Sequence, residues 1–388
     1  MSEDPRDRFR SRIGSTLGVA PDHVSLFGRG RVALYAILRA LDIGPGDEVI
    51  VPAFTCVAVP NAILYAGARP VWVDIDSSTY AIDPARIEAA ISSRTRAILA
   101  QNTFGLSADL DALTAIADRH GVSIIDDSTH GLGGRYRGMP SGSAAPLSFF
   151  STQWSKPLST GLGGFAVAIQ DDVAARLRAA EFAAPEPTAL RVGTLSALVY
   201  ARERAGRGPL FRAGRAAYRV LSRMGAVPGS SSRDELEGMA MPSGFVVRLS
   251  PSQARLGSER IGRLRHDVEE RRAIAHRYSA WLTERGRTAA SEPAETEHAF
   301  LRYPLRVSDR RQFRAAAARV GVDLGDWFVS PIHPATERLD RWAYTIGTAP
   351  VAERICREIV NLQTEPGLGQ RDVDRILSFL SKQAHLIL

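Results

Sequence analysis

Short apolar runs recur through the first half of the chain, and the positions between them fall at helical spacing. The runs are EVIVP (48–52), VWVD (71–74), AILA (97–100), VSIID (122–126), LSFF (147–150) and FAVAI (165–169). They are unbroken rather than alternating, which predicts strands covered on both faces. Leu34, Ile37, Leu38 and Leu41 stand at i, i+3, i+4 and i+7, the apolar stripe of a helix. Asp83 followed by Pro84 has the form of an N-cap with proline at the first helical position. Strand and helix alternating in this way predict an α/β fold with a mostly parallel central sheet.

The alternation breaks over 183–243, a stretch rich in Arg, Gly and Ala that contains GRGPLFRAGRAAYRVLSRMG and ends near GSSSRDE. It has the form of an insertion. One reading is a solvated helical lid or a dimer contact; the other is a basic amphipathic surface for a lipid-linked substrate or a membrane face. GSSSRDE is expected to be a mobile loop. From 253 to 285 a long helical pattern leads into a C-terminal part, where HAFLRYPLRV has strand character and Val373, Ile376, Leu377 and Leu380 mark an amphipathic helix. The expected division is a large domain over 1–250, carrying the insertion, and a smaller C-terminal α/β domain over 251–388.

The chain has 388 residues, long enough for such a pair of domains. No apolar stretch reaches the roughly 18 residues of a membrane span, so a soluble, cytoplasmic protein is expected. Cys56 and Cys356 have no partner pattern, which supports neither a disulfide framework nor a zinc site. The net charge of +7 would suit an anionic partner. Of the basic residues, however, only Lys156 and Lys382 are lysine, and the arginines are spread along the whole chain as a coding bias would spread them. A nucleic-acid partner is therefore not expected. Arginine replaces lysine at most ion pairs but cannot form an imine with an aldehyde, so a lysine kept in such a chain marks candidate chemistry.

Three motifs carry that chemistry. GRGRVA (28–33) follows the apolar run VSLF and fits G-x-G-x-x-A, the dinucleotide fingerprint. The acid that should end the second strand is misplaced, because Asp47 and Glu48 precede theirs. A glycine turn opening a helix still presents free N–H groups to a phosphate monoester, and Arg31 would add a charge-assisted bond. Asp126 and Asp127 end the strand VSIID, where open α/β sheets bind ligands. Such an acidic pair caps a helix or binds a metal, or it pairs with the protonated pyridine nitrogen of pyridoxal phosphate (PLP) and keeps that ring an electron sink. His130 could stack on the ring or bond its phenolic oxygen. Lys156, in SFFSTQWSKPLSTGLGG, lies between an apolar strand and a glycine turn. It is either a snorkelling surface lysine or a partly desolvated amine that serves as nucleophile and proton carrier.

In order and spacing the motifs resemble the DegT/DnrJ/EryC1/StrS family of fold-type I PLP enzymes, mostly sugar aminotransferases. The resemblance runs through GRGRVAL, GPGDEVIVPAFTCVAVPNAI, GARPVWVDID, ADLDALTAIADRHGVSIIDDSTHGLGGRY, the lysine segment and GFVVRLSPSQARLG. Asp127 with His130, and Ser151 with Lys156, reproduce the family's intervals of three and five residues. The resemblance implies that Lys156 joins PLP as a Schiff base and shuttles a proton, and that Asp127 pairs with the pyridinium. It further implies that His130 lies by the ring, that Ser151 bonds the phosphate, and that Gly30, Arg31 and Val32 form the phosphate turn. Cys56 stands where an aromatic often stacks. Arg248 and His333 stand at substrate positions, Arg248 reaching the neighbouring subunit's site in a homodimer.

Val246, Cys56, Leu162 and Pro157 depart from the family pattern, Val246 replacing an asparagine that reaches the partner's phosphate. The implied reaction moves an amino group from an amino acid, glutamate by expectation, to a keto sugar carried on a nucleotide. The competing readings are a PLP-fold protein with a non-sugar substrate, a non-catalytic regulatory or membrane-surface member, and an NAD-dependent enzyme using Gly28 and Gly30.

Overall fold

A computed structural model describes residues 4–205, 235–236 and 240–388. The stretch GRGPLFRAGRAAYRVLSRMG, and GSSSRDE apart from Glu235, lie outside the described residues, and the lid, membrane-face and mobile-loop readings lie there with them; the described start of the 183–243 stretch includes the helix Ala189–Ala205. The chain is α/β with a mostly parallel central sheet. All six apolar runs form strands: Glu48–Pro52, Arg69–Val73, Thr95–Gln101, Ser123–Asp127, Leu147–Ser151 and Gly164–Ala168. The chain divides into two compact units that interleave in sequence, Met1–Asp47, Val57–Arg69 and Pro146–Gly262 against Glu48–Cys56, Pro70–Ala145 and Arg263–Leu388.

In the first unit the strands Val24–Phe27, Gly164–Ala168 and Leu147–Ser151 are antiparallel neighbours, with Phe27 opposite Gly164 and Gly164 opposite Ser151. The helix Gly30–Ala40 follows the first strand and buries Leu34, Ile37 and Leu38, while Leu41 is its C-cap. Glu181, on the helix Asp171–Ala183, is fully buried and accepts from Arg10 Nη2 at 2.8 Å, Arg178 Nη1 at 2.9 Å and Leu26 N at 3.0 Å. Arg10 in turn donates from Nε to the Val24 carbonyl at 3.0 Å. This charge cluster ties the first helix, Pro5–Leu17, to a strand. A buried carboxylate is tolerable there because its lone pairs are filled and two guanidinium groups face it.

The second unit orders its strands Ser123–Asp127, Thr95–Gln101, Glu48–Pro52 and Arg69–Val73, the first three parallel. Asp83 does cap Pro84, accepting from Ala85 N at 3.0 Å, but the element is a single 3-10 turn, Pro84–Arg86. The long helical pattern is two helices: Pro251–Ile261, which belongs to the first unit and is opened by a capping box between Ser250 and Gln253, and Leu264–Thr283, which belongs to the second. Tyr303–Arg306 pairs with Ile359–Leu362, and the helix Gln370–Lys382 buries Val373, Ile376 and Leu380. Asp74, just past its strand, accepts from Ala352 N at 2.8 Å and Val351 N at 2.9 Å, and so caps the helix Pro350–Glu358 from far away in sequence. His298 is buried, its Nδ1 accepting from Ser107 N at 3.1 Å and its Nε2 lying 3.0 Å from the Ser291 carbonyl. That arrangement suits a neutral ring, and burial pushes its pKa down to about 4.

Two stability outcomes follow. Glu181→Ala strands the Arg10 charge and should cost about 3–5 kcal/mol in urea unfolding, whereas Glu181→Gln, which keeps an acceptor, costs less. For His298 the unfolded ring takes up a proton near its ordinary 6.5 while the folded ring resists until about 4. Stability is then complete above the unfolded value and is lost as pH falls from 6.5 toward 4. The urea midpoint of His298→Gln should decline less over that interval than that of the unsubstituted protein.

Candidate active site

In the first unit the GRGRVA turn opens the helix Gly30–Ala40 directly beside the end of the strand Leu147–Ser151. A Cβ placed on Gly30 would lie 2.8 Å from Ser151 Cβ and 2.9 Å from the Phe150 carbonyl oxygen, so only glycine allows this approach. The consequence is a cradle in which the first turn of a helix lies against the strand end that carries Ser151, the Val32 N–H of that turn donating to the Arg29 carbonyl at 3.1 Å. Its donor set fits a phosphate monoester. Arg31 is turned to a different partner: its guanidinium pairs with the buried Glu235, as does that of Arg29 at 3.4 Å. Val32 is buried in the helix.

The segment after Ser151 is knotted by its own polar groups. Thr152 N donates to the Gly163 carbonyl at 2.9 Å, and Thr152 and Thr160 share a hydroxyl bond at 2.7 Å. Thr160 also donates to the Leu162 carbonyl at 2.7 Å, and Gln253 Nε2 bonds that same oxygen. Lys156 sits half-buried inside this turn, its backbone N–H on the Gln153 carbonyl at 2.9 Å. The turn fixes where the lysine stem starts. Arg248 lies in the same unit, bonded to Glu186 Oε1 at 3.1 Å and placed 5.2 Å from the Phe182 ring.

In the second unit Asp127 ends its strand, buried, with Thr129 N on Oδ1 at 3.0 Å. Asp126, on the preceding position, is held by Asn102 Nδ2 at 2.8 Å and Ser128 Oγ at 2.8 Å. Complete burial, reinforced by the neighbouring Asp127, pushes the Asp126 carboxyl up to about 7. His130 is buried and accepts the Phe104 N–H on Nδ1 at 3.3 Å, which leaves the proton of the neutral ring on Nε2. Cys56 and His333 are brought together as partners in a short parallel pairing, Thr55–Cys56 with Ile332–His333.

Several residues near these positions gave no warning in the sequence. Trp327 stacks on His130 with ring centroids 4.9 Å apart and planes 8° apart. Asn102, Asn361 and Glu235 act through hydrogen bonds to residues distant in sequence. Single polar residues without periodicity carry no local pattern, and a lone tryptophan in a segment without period carries none either.

Known proteins resemble this chain over most of its length. The pleiotropic regulatory protein of Geobacillus stearothermophilus is 30% identical over 365 residues, 91% of this chain and 83% of that protein. The UDP-N-acetyl-3-dehydro-alpha-D-glucosamine 3-aminotransferase of Acidithiobacillus ferrooxidans is 29% identical, covering 92% of this chain and 83% of its own. Among solved structures, a DegT DnrJ EryC1 StrS aminotransferase from Brucella abortus superposes with a TM-score of 0.76 at 26% identity, over 98% of this chain and 90% of that one. DesV of S. venezuelae, solved with a ketimine intermediate, gives a TM-score of 0.76 at 26% identity over 99% and 90% of the two chains. The family model for DegT/DnrJ/EryC1/StrS aminotransferases matches residues 6–381, so this chain belongs to that family and is a PLP-dependent aminotransferase.

Proposed function

We propose that the protein moves an amino group from an amino acid to the carbonyl of a keto sugar, with glutamate as donor and a nucleotide as the sugar's carrier. The single observation that carries the sugar reading is the run of relatives whose names specify such substrates. They include the UDP-linked aminotransferase of Acidithiobacillus ferrooxidans, a GDP-perosamine synthase of Caulobacter vibrioides and an L-glutamine:scyllo-inosose aminotransferase of Streptomyces griseus. Two of those names carry a nucleotide and one a free cyclitol, and the last makes glutamine the alternative donor to test.

Bound PLP supplies a pyridine ring that accepts the electron pair released when the donor's Cα–H bond breaks. The residues that would hold it are those set out above. Ser151 Oγ and the N–H groups of Gly30, Arg31 and Val32 bind the phosphate, the Arg31 guanidinium being paired with Glu235. Asp127 would pair with the protonated ring nitrogen, and its burial makes that carboxylate a strong partner for a cation. His130 would lie by the ring, and Cys56 would take the place of a stacking aromatic. Lys156 Nζ would hold the cofactor's aldehyde and, when free, act as the base that carries the proton of the donor's α-carbon, a role suited to one flexible amine. Arg248 and His333 contact the substrates, Arg248 across a homodimer interface so that the two subunits complete each other's sites.

Lys156→Ala should abolish the visible absorption that PLP acquires when joined to a lysine amine and should lower the transamination rate on the order of a thousandfold. A spectrum of purified protein with PLP reads the first, and a coupled assay the second; an unchanged band ends the assignment. Mixing the holoenzyme with glutamate alone should bleach that band, and a nucleotide-linked keto sugar should restore it. Bleaching by glutamine but not glutamate would replace the donor, and restoration by a free ketose alone would remove the nucleotide.

A further inference from the structure

The layer behind His130 is built with more care than a covering residue needs. Trp327 lies against the imidazole nearly parallel, at 4.9 Å and 8°. Its backbone is gripped on both sides by one buried amide: Asn361 Oδ1 accepts the Trp327 N–H at 2.9 Å and Asn361 Nδ2 donates to the Trp327 carbonyl at 2.6 Å. Asn361 is itself fixed by its strand, Ile359–Leu362, and by Gly325, whose N–H donates to its carbonyl at 2.9 Å. Gly325 is required at that spot, since a Cβ there would come within 2.7 Å of Asn361 Oδ1. Arg302 lies 5.9 Å from the indole ring and pairs with Glu365. All of these residues belong to one compact unit.

An imidazole has two faces and two nitrogens. Here the indole occupies one face, and the Phe104 N–H fixes Nδ1 as the acceptor. The stack sets the plane of the ring, and the hydrogen bond sets its rotation within that plane. We propose that Trp327 is a positioning residue, clamped by Asn361, that fixes the plane in which His130 meets the cofactor ring. The proposal rests on the reading that His130 lies by that ring. It names a contact behind the histidine, where a loose imidazole would let the ring tilt during proton transfer.

The test is a cycle on the full-length protein with His130→Ala, Trp327→Ala, Trp327→Phe and the double Ala variant. In the cofactor-free protein the His130 ring protons should carry an upfield ring-current shift that vanishes in Trp327→Ala. In the holoenzyme Trp327→Ala should move the visible band and slow the glutamate half-reaction roughly three- to tenfold, the worth of one aromatic pair. Trp327→Phe, which keeps a ring, should lose less, and it carries the same cycle at smaller amplitude if the alanine variant fails to fold. In the His130→Ala background Trp327→Ala should add nothing. Additive losses overturn the proposal, as does an unshifted band in Trp327→Ala when His130→Ala is impaired. If His130→Ala itself leaves band and rate untouched, the underlying reading of His130 falls first and this proposal with it, even with the ring-current shift present.

Discussion

Gly30 is the point at which the first unit either assembles or does not. Its backbone lies against Ser151 and the Phe150 carbonyl on one strand, and Gly164 on the next strand has no room for a side chain, since a Cβ there would overlap Gly30 itself. Three segments therefore approach to backbone distance. The approach sets the first turn of a helix against a hydroxyl-bearing strand end, and that turn gains its electrostatic use from the aligned peptide dipoles behind it. Without the two glycines the helix would stand off from the strand end that carries Ser151.

The strands and the first helix could be read directly, because long apolar runs have only one way to be buried and Leu34, Ile37 and Leu38 mark a single face. The helix after Pro84 could not be read correctly: Asp83 has the chemistry of a cap, but the residues after it form only two short 3-10 turns, Pro84–Arg86 and Glu88–Ala90. Of the proposed site, Lys156, Asp127, His130 and the glycine turn could be singled out because each sits at a strand end or a turn. Trp327 and Asn361 were not. Their importance comes from contacts across some two hundred residues and within a loop with no period, and nothing local distinguishes such an asparagine from a solvated one.

Charge shows the same division between what is local and what is not. A chain with 49 basic residues at a net charge of +7 invites a search for a polyanion. Yet Arg10 and Arg178 face Glu181, Arg29 and Arg31 face Glu235, and Arg302 faces Glu365. Five of the arginines are thus held by three carboxylates. Arg178 and Glu181 are one turn apart on the same helix, whereas Glu181 with Arg10, Glu235 with Arg29 and Arg31, and Glu365 with Arg302 join residues far apart in the sequence.

Asp74 carries a consequence of a temporal kind. It caps the helix Pro350–Glu358, and its unit is assembled from three stretches, the last of which begins at Arg263. A ribosome that has delivered residues 48–145 has made the strands and the helix Leu110–His120 that packs on them, but not the helix that Asp74 caps. Until the last third emerges, the Asp74 carboxylate lacks the Val351 and Ala352 donors, so the closing step of this unit's assembly waits for the end of synthesis.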